Sequence, residues 1–110
     1  MESSLLRLKT IFAKMVEDGF DVKNYLKWGF YFFDLDKTKL SILSKELQLH
    51  GYKYENLLHM DDKYWRLFVS SIDVLSPEEL HKKNIFFNKL ASQHNVELYD
   101  GWDVEKLHNV

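Results

Sequence analysis

Apolar residues recur along this chain with two different periods, and the switches between them mark the elements. Leu5, Leu8, Phe12 and Met15 stand at helical spacing, with Ile11 and Val16 beside them, while Arg7, Lys9, Lys14 and Glu17 fall largely elsewhere. The pattern predicts an amphipathic helix from Ser3 or Ser4 to about Glu17. Serine at its start can accept from free amides, and Gly19 is placed to end it. Tyr25 to Phe33 (YLKWGFYFF) then reads as a strand, because rings favour a pleated surface. Period two puts Leu26, Trp28, Phe30 and Phe32 on one face and Tyr25, Lys27, Gly29, Tyr31 and Phe33 on the other. Both sets are apolar enough that both faces are expected to be at least partly covered, with the strand central in a sheet.

Helical spacing returns in Leu40, Leu43 and Leu47, which predicts a helix from Asp36 to His50 with Asp36 as cap and Gly51 closing its end. Tyr52 to about Leu58 is predicted as a strand. Asp61-Asp62-Lys63 is a polar turn. Tyr64 to Ile72 is a further strand, with Trp65, Leu67 and Val69 on one face and Phe68 on the other. Ser76-Pro77-Glu78-Glu79 is the sharpest local signal: serine and glutamate can cap reciprocally, and proline pre-sets the first helical dihedral. The helix it opens runs to about Gln93, with Leu80, Phe87, Leu90 and Ala91 near one face, Phe86 at its margin and Asn95 past its end. Val96 to Tyr99 is expected as a short last strand, Asp100-Gly101-Trp102 as a turn, and the tail as one final helical turn.

After the leading helix the order is strand–helix–strand–strand–helix–strand, the split arrangement of a ferredoxin-like α+β fold. It predicts an antiparallel sheet with two helices on one face. The leading helix must bury its own stripe on the opposite face, at an edge, or against a second copy of the chain. With 110 residues, 45% of them apolar and 15% aromatic, residues 1–110 read as a single domain able to build a core. Charged residues make up 29% and the net charge is −2, which is no general signature for nucleic acid or anionic membrane. No apolar run is long enough to span a bilayer. The absence of cysteine removes disulfides, thiolate metal sites and cysteine nucleophiles. The start, Met1-Glu2-Ser3-Ser4, carries no basic leader, so a cytoplasmic protein is expected.

Candidate chemistry is sparse. Asp34-Leu35-Asp36-Lys37-Thr38 follows a hydrophobic strand and resembles the first motif of haloacid-dehalogenase-type phosphatases. In that chemistry Asp34 would attack phosphorus, Asp36 would act as acid and base, and magnesium would offset charge. Lys37 replaces the usual glycine, and the downstream pattern leaves no parallel sheet for the remaining motifs. The plainer reading makes Asp36 a helix cap and puts Asp34 in the preceding loop. The five histidines include no H-x-x-x-H pair, so helical metal spacing is absent. Tyr31, Tyr52, Tyr54, Trp65 and Phe68 could stack single-stranded RNA on a ferredoxin-like sheet. The run typical of such modules is missing, however, and direct nucleic-acid binding is not expected.

Tyr31-Phe32-Phe33 before a helix, Gly51-Tyr52 after it, Trp65 opening a strand to Ile72 and Asp73, and Tyr99-Asp100-Gly101-Trp102 after the last helix together resemble the family of ribonuclease E inhibitor RraB. The resemblance covers nearly the whole chain. It implies a ferredoxin-like fold and no catalysis, and no cofactor is expected. It also implies a bacterial regulator that binds a ribonuclease E-like scaffold away from the active site. From the residues themselves, Gly101 suits a tight turn, and Trp102 either pins the C-terminal segment to the sheet or presents a ring as an interface anchor. Tyr99, Asp100, Gly101, Trp102, Asp103 and Glu105 are therefore the candidate partner-binding residues, acids around rings that could meet a basic protein surface. No metal ligand or membrane contact is assigned. A second copy of the chain remains open as a partner.

Overall fold

Three capped helices and four strands make up the computed structural model, which describes residues 1–107. Helix α1 (Leu5–Glu17) begins where Ser4 accepts from the Arg7 amide, and α2 (Lys37–Leu49) begins where Asp36 accepts from the Thr38 amide. Helix α3 (Pro77–Gln93) opens with the full reciprocal cap between Ser76 and Glu79. Each cap satisfies amides that a helix leaves free, about 1 kcal/mol apiece. The helices stop at residues that tolerate left-handed backbone: Gly19 and Gly51 at φ 91°, and Asn95 at φ 54°.

The strands are β1 (Leu26–Asp34), β2 (Lys53–Met60), β3 (Tyr64–Asp73) and β4 (Leu98–Glu105), in one sheet of order β2-β3-β1-β4 with every neighbouring pair antiparallel. This is the ferredoxin-like order, and β1 lies in the interior of the sheet. Asp61 and Asp62, at φ 51° and 56°, turn β2 tightly into β3, as the twist of a hairpin demands.

The structure corrects the last strand. Asp100-Gly101-Trp102 is not a turn but the middle of β4, and Val96 precedes the strand instead of starting it. The register against β1 shifts between Tyr31 and Phe32, so Asp100 and Gly101 form a bulge, with Gly101 at φ 122°. A glycine in that conformation bends a strand without ending it. The final helical turn is likewise absent through Glu105, which is strand; the tail from residue 108 lies outside the described residues.

All three helices share one face. Leu26, Trp28, Phe30 and Phe32 of β1 point into it and are buried, with Leu67 and Val69 of β3 and Tyr99 of β4. Phe87 of α3 meets the rings of Phe30, Phe32 and Tyr99. Burying such side chains contributes roughly 1.5–3 kcal/mol each. Helix α1 buries Leu8, Phe12 and Met15 beside α3, and Phe12 stacks on Trp28 with centroids 5.7 Å apart. The leading helix thus docks within its own chain, on the face that α2 and α3 already use. The other face carries no element among the described residues, so the expectation that both faces of β1 are covered holds only through side chains lying on the sheet itself.

Candidate functional site

That bare face is the most distinctive surface of the molecule. Period two brings Lys27, Gly29, Tyr31 and Phe33 of β1 to it, with Arg66, Phe68 and Ser70 of β3 opposite. Tyr31 and Phe68 stack, with centroids 4.6 Å apart and planes 11° from parallel, and the Arg66 guanidinium lies 5.1 Å from the Tyr31 centroid. Phe33 meets Tyr64 at 5.0 Å. The Phe68 ring crosses β1 at Gly29, where any Cβ would collide with it and with the Asp103 carboxylate. An interior strand glycine inside an aromatic run is the sequence signal for such a crossing ring.

Charges frame the rings. Tyr31 donates to Asp103 Oδ2 at 2.6 Å. Partial burial and that carboxylate push its phenol up to about 12. Lys27 joins Glu55 at 3.3 Å and Glu105 at 3.5 Å, while Glu55 also meets Lys53 and accepts from the Ser70 hydroxyl. Burial opposes the charged forms of Glu55 and Lys27, but their mutual hydrogen bond and attraction outweigh it: the Glu55 carboxyl is lowered and the Lys27 ammonium raised. A line of alternating charge, Lys53–Glu55–Lys27–Glu105, therefore crosses the sheet from β2 to β4.

The candidate residues of the C-terminal segment divide between three environments. Tyr99 is in the core, its hydroxyl donating at 2.6 Å to Asn84 Oδ1, itself wholly buried on α3. Burial raises the Tyr99 phenol well above its ordinary range. Gly101 is the buried hinge of the bulge. Trp102 turns to the helix side, half-buried against Trp28 with centroids 5.7 Å apart, and so pins β4. Asp100 faces solvent, while Asp103 and Glu105 join the bare face. Strand β4 thus presents three carboxylates and no base.

Asp34 and Asp36 come out as structural. Asp34 is 5% exposed, and its two oxygens accept from the Asp36 amide at 2.7 Å and the Glu97 amide at 2.8 Å. One carboxylate so ties the end of β1 both to the cap of α2 and to the entry of β4. Asp36 is spent on the cap. Among the described residues, no group of three acids or histidines is placed to hold a metal ion. A surface groove of about 400 Å³ lies by Leu26, at the opposite end of β1 from Asp34. Of the histidines, His94 ends α3 and contacts Glu46 of α2, and His50 ends α2 with its ring edge against Phe86. Both serve helix junctions.

Fold and surface define a ferredoxin-like α+β protein whose three helices cover one side of the sheet and whose other side is an aromatic and charged surface. The chain belongs to the family described as regulator of ribonuclease activity B, whose model matches residues 8–104. No curated protein matches it. The family is regulatory and non-catalytic, concerned with RNA degradation. No helix among the described residues is long and apolar enough to cross a membrane.

Proposed function

We propose that this chain regulates ribonuclease E-type RNA degradation without catalysis, by occupying the surface of a protein partner in the cytoplasm. The observation that carries the reading is the family match from residue 8 to residue 104. The binding surface proposed is the rim of β4 with the bare face beside it. Asp100, Asp103 and Glu105 supply carboxylates for a basic segment of the partner. Tyr99, Gly101 and Trp102 set the path of the strand that carries them. Such charge complementarity contributes mainly specificity and association rate.

Surface plasmon resonance tests this with the chain immobilised and two analytes: full-length ribonuclease E, and its catalytic part without the scaffold. The expected result is saturable binding of the full-length enzyme alone, with an association rate that falls with salt. Triple substitution of Asp100→Asn, Asp103→Asn and Glu105→Gln is expected to slow association by roughly tenfold or more. Absence of binding by the scaffold-containing enzyme, or equal binding by the catalytic part, would refute the reading.

A further inference from the structure

The sheet has two edges, β2 and β4, and they are built differently. Natural proteins protect an edge with charges, bulges or covering segments, because its free amides and carbonyls otherwise recruit another strand. Strand β4 has two of these protections: it carries Asp100, Asp103 and Glu105, and it is bulged at Gly101. Strand β2 is bulged only near its start, at Glu55. From Asn56 to Met60 it runs in unbroken register with β3 and has no Lys, Arg, Asp, Glu, Pro or Gly. Leu58 on this stretch is 45% exposed.

We propose that Asn56–Met60 is a self-association edge, where β2 pairs antiparallel with β2 of a second copy about a two-fold axis near Leu57. The charges of the strand select this occupant. Lys53 stands at one end, with its side chain 77% exposed, and at the other Asp61 and Asp62 stand exposed with Lys63 in a turn that is net acidic. An antiparallel copy brings the basic end of each strand to the acidic turn of the other. The two-fold axis makes the contact twice. Leu57 meets Leu57 of the second copy, and Glu55 comes towards His59. A parallel copy would instead set Lys53 on Lys53 and the two acidic turns on each other. Helix α1 has already buried its stripe in its own chain, so it does not compete for this role. The proposed partner surface lies along the opposite edge, so self-association and partner binding succeed or fail separately.

Sedimentation velocity across a wide concentration range tests the proposal on the full chain. The expected result is a monomer–dimer equilibrium. Lys53→Asp alone puts acid against acid, and Asp61→Lys with Asp62→Lys puts base against base. Each is expected to weaken association by roughly tenfold or more. Mixing these two variants restores opposite charges at both contacts, so the mixture is expected to dimerise again. Hydrogen exchange of wild type at high against low concentration is expected to show new protection confined to β2. A monomer at every concentration, a dimer indifferent to both variants, a mixture that stays monomeric, or protection elsewhere would each overturn the proposal.

Discussion

Replacing Asp34 by asparagine separates its structural reading from the catalytic one. The carboxylate has two oxygens, and each accepts from a backbone amide in a site that is 5% exposed. Asparagine keeps the shape but offers one oxygen and an NH2 group, so either the Asp36 or the Glu97 amide faces another donor. A hydrogen bond to a charged group is worth about 1.5–3 kcal/mol, and a buried amide without a partner costs about 1–3 kcal/mol. These overlap, since one lost bond is counted from both sides. Asparagine also removes the cost of desolvating a carboxylate. The net is a loss of about 2–4 kcal/mol, from a total of roughly 5–15 kcal/mol for a domain of this size. The midpoint of thermal unfolding should fall by roughly 10–15 °C. Guanidinium unfolding followed by tryptophan fluorescence measures the loss at unchanged slope, and hydrogen exchange should speed at the Asp36 and Glu97 amides. The reasoning fails if Asp34→Asn keeps wild-type stability within about 0.5 kcal/mol while abolishing a magnesium-dependent phosphate-ester hydrolysis shown by the wild type.

Further expectations follow from the core and the bare face. Tyr99→Phe leaves the wholly buried Asn84 Oδ1 without its donor and should cost about 1–3 kcal/mol by chemical denaturation, with the fold unchanged by circular dichroism. Phe12→Ala removes the ring stacked on Trp28 and should cost about 3–5 kcal/mol, with tryptophan emission shifting to the red as Trp28 is uncovered. The Tyr31 phenol titrates near 12 when folded against an ordinary 10.0, so its contribution to stability is complete below pH 10 and is lost as pH rises through 12. Ultraviolet titration of wild type against Asp103→Asn should find the Tyr31 ionisation at lower pH in the variant.

Much of the fold was legible because local and global signals agreed. Ser4, Asp36 and the Ser76–Glu79 pair cap the helices that the apolar stripes predict. The split order of elements then leaves one common antiparallel arrangement. Strand β4 was misread for a definite reason. Asp-Gly is a strong turn signal, and Asp100, Asp103 and Glu105 break the apolar run that a strand usually shows. Here the left-handed glycine makes a bulge, and the acids point to solvent or to the bare face. The docking of α1 was not legible, since Leu8, Phe12 and Met15 specify a buried stripe but not its receptor. The bare face was hidden by its own rings, because Tyr31 and Phe33 read as covered positions whether a helix or a neighbouring ring covers them. Of the candidate partner-binding residues, the chain pattern located the acids but could not show that Tyr99 and Trp102 turn inward, which depends on the bulge.

The regulatory account is tested most directly by the rate at which purified ribonuclease E cleaves a structured RNA as this protein is added. Cleavage by the full-length enzyme should slow in proportion to occupancy, while the catalytic part alone should be unaffected and the added protein should cleave nothing itself. Unchanged cleavage at saturating protein, or equal slowing of the catalytic part alone, would contradict the account.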